Sequence, residues 1–320
     1  MADIKTSGSV YGGYVLVLLA IIVFSTIEVG SQHLQKEMGA SALDVSLLRF
    51  SIGGIFLLIT ACIKLGRGYM IKIIKEDGLR LALLGLIGTT GVSLFFHRSL
   101  TLTSSMIAGA IFSINPAIVA LVFIVFGVDK PNWKRILGVL LGIACVLVSN
   151  IGAQAHEPEF PNYFLGNIFM VIAVLCWSFY FFLVRKYIKK YGGFAISGIV
   201  VTCGSIALLL FAPFASRLGW GESLTFFSSL TLRGWLLALY LGAITTGLGY
   251  YWLYNGLAKT GVSNGMMVFF IKPALVALLA YFLQGQRLSV WILFGIVLAA
   301  SSVLMVNSSI NRKKVKAADF

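Results

Sequence analysis

Long apolar runs separated by short polar connections dominate the chain. An α-helix needs about 20 mostly apolar residues to cross the hydrocarbon core of a bilayer. Ten runs of roughly this length follow one another along the sequence. The spanning helices predicted from them are 11–32, 44–64, 79–97, 103–127, 133–150, 163–186, 194–214, 234–257, 262–283 and 290–307. The pattern therefore predicts an all-α integral membrane protein.

The composition leads to the same class of protein. Hydrophobic residues make up 59% of the chain and charged residues only 11%, whereas a soluble domain carries about 25% charged residues. Lipid can cover the apolar side chains that water cannot. The net charge of +14 does not indicate a nucleic-acid partner, because the basic residues lie in short clusters between the apolar runs.

These basic clusters also predict the orientation. With the N-terminus inside, 18 Lys and Arg residues fall in the inner connections and 5 in the outer ones. Positive residues favour the cytoplasmic side. We therefore expect a multi-pass protein of the cell (plasma or inner) membrane with both termini cytoplasmic, a short N-terminal segment 1–10 and a basic tail 308–320.

The two halves of the chain resemble each other. Residues 116–121 match residues 273–278 in five of six places, and a shift of 157 also pairs Gly85 with Gly242. A shift of 153 pairs Gly39 with Gly192. The predicted five-helix repeats are 11–150 and 163–307, with an extracytoplasmic linker 151–162. Because five is odd, the second repeat enters the membrane inverted, an arrangement typical of alternating-access carriers.

Three motifs resemble the EamA-type transporters of the drug/metabolite transporter superfamily. They are Leu48-Arg49-Phe50, Asn115-Pro116, and Phe270-Ile271-Lys272-Pro273-Ala274 followed by Gln284-Gly285-Gln286-Arg287-Leu288. The resemblance covers nearly the whole chain. The Gly-Glu pair that ends helices four and nine in many members is replaced here by Gly127-Val128-Asp129 and Gly285-Gln286. The role of that glutamate is therefore not carried over.

The resemblance implies ten helices in two inverted halves. It also implies a central cavity lined mainly by helices 1, 3, 4, 6, 8 and 9. Known members export amino acids and other metabolites, which favours export here without naming a substrate.

Glu28 is the only acidic residue in the interior of a predicted spanning run, since Asp44 is the first residue of the second run. A buried carboxylate needs a partner or a wet cavity. The sequence leaves two roles open: a structural ion pair with Arg49, or binding of substrate or a proton. Glu28, Val29, Leu34 and Lys36 also resemble the first helix of small multidrug resistance proteins, so a proton-coupled exporter of cationic drugs is an alternative function.

Lys272 lies within the ninth predicted helix, directly before Pro273, and its repeat counterpart is Asn115, directly before Pro116. Prolines tend to kink helices and free backbone carbonyls. We expect Lys272 to bind substrate or contribute to coupling, with Asn115 opposite. A structural pair with Glu28, or snorkelling of the lysine toward water, is the other interpretation.

Aromatic residues form a second candidate set. Trp177 and Tyr180 share one helix face, and Tyr250 and Tyr254 share another. These rings can stack on a substrate or a cation, although belts and ordinary packing explain such residues more often. His97, at the end of helix 3, is interpreted as an interfacial histidine, with a pH-sensitive gate as the alternative.

The sequence contains no nucleotide-binding fingerprint and no His/Cys metal set. We therefore predict no enzyme activity, cofactor or metal. The predicted function is secondary transport of a small amino-acid-like or anionic metabolite, with protons as a candidate coupling ion. A membrane enzyme or a non-transporting receptor is the alternative from another class. Fusion of both halves favours a monomer, although a dimer is compatible with the sequence.

Overall fold

A computed structural model describes residues 10–128, 130–156, 162–215, 217, 230–260 and 265–308. Within these ranges the secondary structure is helical and contains no strand. We number ten helical segments in chain order. They are α1 (Val10–Met38), α2 (Ala42–Leu65), α3 (Arg67–Leu100), α4 (Ser105–Val125), α5 (Trp133–His156), α6 (Tyr163–Tyr191), α7 (Gly193–Ala215), α8 (Leu232–Thr260), α9 (Met266–Ile271 and Lys272–Gln284) and α10 (Val290–Ser308).

Seven helices in the described residues, α1 to α4 and α6 to α8, are long and apolar enough to cross a membrane. Shorter apolar helices occupy Val268–Gln284 and Val290–Val306. Residues 1–9 of the predicted N-terminal segment 1–10, residues 309–320 of the predicted tail 308–320 and residues 157–161 of the predicted linker 151–162 lie outside the described residues.

Several helices extend beyond the apolar runs that predicted them. The third begins at Arg67 rather than at residue 79, because its first turns are amphipathic and bury only Met70, Ile73 and Asp77 on one face. This spacing of three and four residues places all three toward the protein interior. An apolar window detects the buried part of such a helix and misses its polar first turns.

Five of the described helices are interrupted in the middle of the membrane-spanning part, three of them by the break in α1 or by π-helical turns. Helix α1 consists of Val10–Phe24 and Thr26–Met38, separated at Ser25. Helices α3 and α8 contain π-helical segments, Leu86–Gly91 and Tyr240–Leu248. Such segments widen a helix locally and are frequent at functional sites.

The interruptions of α4 and α9 precede the two predicted prolines. In α4 the helix breaks at residues 113–114, and in α9 a 3-10 turn, Met266–Ile271, comes before the α-helix. Pro116 and Pro273 each lie in the first turn of a new helical segment. A proline is tolerated there because its missing N–H would have no helical partner. The predicted kinks are therefore breaks between two helical segments.

The interior is formed by contacts between the two halves. Helix α1 packs on α8, α3 on α6, α5 on α10, and α2 lies against both α7 and α8. Close approach of α4 and α9 depends on Gly109, where an added Cβ would lie 2.5 Å from a methyl group of Val276. Small residues allow such contacts between membrane helices.

Candidate functional site

A cavity lies between the two halves, next to the interruptions of α1, α3, α8 and α9. Its walls come from α1, α2, α3, α4, α6, α8 and α9. Seven of the lining residues are aromatic: Phe24, Phe50, Phe96, Phe112, Trp177, Tyr250 and Phe269. The polar lining residues are Arg49, Ser93 and Lys272. All six helices that the family resemblance implied contribute to the wall, and α2 is an addition.

Lys272 and Glu28 form a buried ion pair at this cavity. The Nζ of Lys272 donates to Oε1 of Glu28. The two side chains are 2% and 0% exposed, so water hardly screens the pair. Lys272 Nζ also lies 4.6 Å from the ring centroid of Phe112, where the ring quadrupole attracts a cation. Snorkelling of Lys272 is excluded by this burial.

Local structure explains why these two residues meet. Glu28 is in the first turn after the break at Ser25, where the positive end of a helix favours a carboxylate. Lys272 is the first residue of the α-helical segment of α9. Each break therefore places one charged side chain at the same depth of the cavity.

The predicted pair of Glu28 with Arg49 is wrong for the described structure. Arg49 instead donates through Nε to the hydroxyl of Thr246, at 3.0 Å. Thr246 lies in the π-helical segment of α8 and donates to the carbonyl of Leu241, also at 3.0 Å. The carboxylate of Glu28 is paired with Lys272, and Arg49 is hydrogen-bonded to α8 at the cavity wall.

The four predicted aromatic residues belong to one cluster. The ring centroids of Trp177 and Tyr250 are 5.8 Å apart, those of Trp177 and Tyr180 5.7 Å, and those of Tyr250 and Tyr254 6.0 Å. The hydroxyls of Tyr180 and Tyr254 are 3.0 Å apart and share a hydrogen bond. Trp177 and Tyr250 line the cavity, whereas Tyr180 and Tyr254 lie behind them. The ring of Tyr180 fills the space next to Gly88 in the π-helical segment of α3.

Asn115 does not line the cavity. Its Oδ1 accepts a hydrogen bond from Ser178 at 3.3 Å, and the side chain is buried. In the predicted repeat, Ser178 corresponds to Ser25 and Asn115 to Lys272. The contact between α4 and α6 is neutral, whereas the contact between α9 and α1 is charged.

A network of amide side chains links α1, α4 and the end of α9. One helical turn beyond Glu28, Gln32 donates from Nε2 to the carbonyls of Leu100 and Thr103, at 3.0 and 2.9 Å. Its Oε1 accepts from Gln286 at 2.8 Å. The network thereby connects α1 to the α3–α4 connection and to the end of α9.

Two further bonds extend this amide network. Gln284 accepts from the hydroxyl of Ser105 at 2.6 Å and donates to the carbonyl of Val29 at 3.1 Å. These residues lie near the ends of α4, α9 and α1, so a movement of any of the three helices has to break several hydrogen bonds at once.

The interpretation of His97 as an interfacial residue is wrong, because its side chain is fully buried. Its Nδ1 lies 2.7 Å from the hydroxyl of Ser46. The ring also packs edge-on against Phe96, with centroids 5.2 Å apart. His97 therefore connects α3 to α2 and is not among the residues that line the cavity.

Sequence reasoning missed the phenylalanines of the cavity wall and the amide network. The chain has 24 Phe residues, and nothing in their spacing distinguishes the few that line the cavity. For the amides a signal was available, because Gln32 is a polar residue within the first predicted spanning run and Gln284-Gly285-Gln286 directly follows the ninth.

The chain is similar in sequence to proteins described as transporters. A family model described as the EamA-like transporter family matches residues 11–151 and 164–308. An uncharacterized transporter of Clostridium kluyveri is 28% identical, and the alignment covers 94% of each chain. The uncharacterized inner membrane transporter YicL of Salmonella typhimurium is 22% identical over 97% of this chain and 100% of its own.

The fold is also similar to a solved structure. A crystal structure that is 18% identical superimposes with a TM-score of 0.66, over 96% of this chain and 98% of the other. At this identity the likeness concerns the fold alone. The solved structure shares the overall architecture, and the two sequence relatives are described as uncharacterized transporters.

Proposed function

The chain belongs to the EamA-like transporter family, and from this premise we propose that it is a secondary active transporter that works by alternating access. It is a multi-pass membrane protein that contacts lipid and a small-molecule substrate. The proposed cargo is a small amino-acid-like or anionic metabolite, and the proposed direction is export from the cytoplasm across the cell membrane.

Alternating access requires two halves that can exchange conformations. The proposed inverted repeats, 11–150 and 163–307, are supported by paired irregularities of the backbone. The π-helical segments Leu86–Gly91 and Tyr240–Leu248 overlap after a shift of 157 residues, and so do the breaks before Asn115 and Lys272. Gly39 and Gly192, separated by 153 residues, both have positive φ, 71° and 86°.

The observation that carries the proposal is the buried pair of Glu28 and Lys272 beside a cavity between the halves. Each charge comes from a different half, α1 or α9. A buried ion pair is weak support for stability, because desolvation offsets the attraction. Ionisable residues inside a membrane protein instead mark substrate or ion pathways.

An anionic or amino-acid-like cargo fits this cavity better than a cationic drug. Two of its polar lining residues, Arg49 and Lys272, are basic, and none of the described lining residues is acidic. Glu28, on which the cation-exporter alternative depends, already accepts from Lys272. A cationic drug would meet like charge and would have to displace that lysine.

Reconstituted vesicles test the proposal. A thermal-shift screen of the purified protein against metabolites would identify a ligand, since binding to the folded state raises stability. Flux of that ligand, radiolabelled, would then be compared between wild type and Lys272→Ala. Lys189→Ala is the matched control, because Lys189 is exposed.

We expect Lys272→Ala to abolish flux while the protein still inserts, and Lys189→Ala to transport normally. Wild-type flux through the Lys272→Ala protein would refute the proposed role of the ion pair. Modification of a lipid substrate, with no flux of any ligand into vesicles, would favour the membrane-enzyme alternative instead.

The proposed orientation has a separate test. With both termini cytoplasmic, Lys75 and Lys189 lie on the cytoplasmic side and Arg98 on the outer side. Single cysteines at these positions would be labelled with a membrane-impermeant thiol reagent in intact cells and in inverted vesicles. Labelling of positions 75 and 189 from opposite sides would contradict the inverted repeat.

A further inference from the structure

We propose that Arg49 is the anion-binding residue of the cavity, and that the cargo is a monovalent organic anion with an aromatic or other flat apolar body. This inference rests on the proposed transport function and narrows its substrate class. It assigns Arg49 a role that its sequence position, with Glu28 at a similar predicted depth, did not indicate.

The guanidinium of Arg49 is buried, and only its Nε has a hydrogen-bond partner in the described residues. The residue is 6% exposed and lines the cavity. Its Nε donates to Thr246, and its carbon Cζ lies 4.6 Å from the ring centroid of Phe50. In the described part of the chain, its two terminal nitrogens have no hydrogen-bond or ion-pair partner.

Because the guanidinium is hydrogen-bonded through Nε, its two terminal nitrogens are available to a ligand. Arginine presents two parallel N–H donors that match the geometry of a carboxylate or phosphate. The contacts with Thr246 and Phe50 restrict the side chain before a ligand arrives, which reduces the entropy lost on binding.

The charges around the cavity add up to one excess positive charge. Lys272 and Glu28 neutralise each other. Arg49 forms no ion pair among the described residues, and Glu28, the carboxylate that attracts it electrostatically, is already paired with Lys272. A buried charge without a partner is costly. A bound monoanion would bring the site to neutrality, whereas a zwitterion would leave the excess charge and a cation would increase it.

The cavity wall also carries an unpaired donor on α6. Trp177 lines the cavity, and its Nε1 is buried without a partner. An indole N–H can only donate. Unpaired donors call for a ligand that accepts hydrogen bonds, and the surrounding aromatic rings supply flat apolar walls for the rest of it.

An amino group on the ligand lacks a comparable site. Glu28 is not among the residues that line the cavity. Its Oε1 accepts from Lys272, and its Oε2 is buried without a hydrogen-bond partner. A ligand ammonium would therefore have to compete with Lys272 for this one carboxylate, which is the physical reason for choosing an anion over an amino acid.

Four compounds of matched shape test this choice. Phenylacetate is the monoanion, phenylacetamide the neutral form, 2-phenylethylamine the cation and phenylalanine the zwitterion. Binding to the full-length protein in detergent would be measured by calorimetry and by thermal shift. We expect phenylacetate to bind more tightly than the other three by about 10-fold or more, the factor set by one hydrogen bond to a charged group.

Substitutions at Arg49 then separate binding from folding. Arg49→Lys keeps the charge but loses the bidentate geometry, and Arg49→Met keeps the apolar stem only. We expect phenylacetate affinity to fall about 10- to 100-fold in Arg49→Met and less in Arg49→Lys. Thr246 would still donate to Leu241 in both variants, so no buried hydroxyl is orphaned.

The melting temperature without ligand distinguishes an arginine that binds the anion from one that stabilises the fold. Because the cation forms no ion pair in the described residues, we expect Arg49→Met to melt at or above the wild-type temperature. A large loss of stability in Arg49→Met, tighter binding of the amine or the zwitterion, or no discrimination among the four compounds would each overturn the assignment.

The outcomes also separate this inference from the proposed function. If phenylacetate binds through Arg49 but no ligand crosses the vesicle membrane, transport fails and the anion site stands. If wild type carries another solute and Arg49→Met carries it equally well, the anion site fails and transport stands.

Discussion

The buried pair of Glu28 and Lys272 allows a stability prediction with a definite sign. Lys272→Met removes one partner and leaves a carboxylate in a site that is 0% exposed. Removing one partner of a buried pair costs about 3–5 kcal/mol. Loss of the cation–π contact with Phe112 adds roughly 0.5–2 kcal/mol, whereas the apolar stem is preserved by methionine.

The double variant Glu28→Gln/Lys272→Met should behave differently. Neither charge is then left alone, and replacement of a buried pair by neutral groups of similar volume is about neutral or stabilising. At roughly 2 °C per kcal/mol for a chain of this size, Lys272→Met should melt roughly 7–14 °C below wild type. The double variant should recover most of that loss.

Unfolding can be followed through Cys145, which is fully buried and therefore reacts with a fluorogenic maleimide only when the protein opens. The partly exposed thiols Cys62, Cys176 and Cys203 would first be replaced by alanine. Lys189→Met serves as the exposed control and should melt like the parent protein.

Two results would refute the reasoning about the ion pair. The first is a Lys272→Met protein that melts like wild type, since a carboxylate left alone in the interior cannot be free of cost. The second is a double variant that is as unstable as the sum of its single changes, because contacting partners must be non-additive.

Three further variants test the surroundings of the cavity. Gly88→Leu should be destabilising by about 1–3 kcal/mol, because the ring of Tyr180 fills the space next to Gly88, and thermal unfolding would measure it. Tyr180→Phe removes one hydrogen bond to Tyr254 and should cost about 1 kcal/mol in the same assay. A larger loss would mean that the hydroxyl of Tyr180 makes further hydrogen bonds. Gln286→Leu removes a donor to Gln32 and should increase hydrogen exchange at residues 100–106; unchanged exchange would contradict the role given to the amide network.

Much of the candidate site was accessible from the sequence because charge in an apolar run is conspicuous. Glu28 and Lys272 stand out from their neighbours, and lipid makes such residues costly unless they are paired. Trp177 and Tyr250 were found through helical spacing. Arg49 was found as well but was given the wrong partner, because similar depth in two helices does not say which side chains face each other.

The sequence by itself determined the helices, since apolar length and basic connections are local properties of a membrane segment. It also indicated the repeat, because glycines and prolines with a backbone role recur at matched positions. The tertiary structure decided which residues meet. Lys272 is 244 residues from Glu28 along the chain, and only the packing of α9 against α1 brings their charges together. The same packing leaves Arg49 without an ion pair in the described residues, and no local pattern contains that information, because it is a property of distances across the cavity.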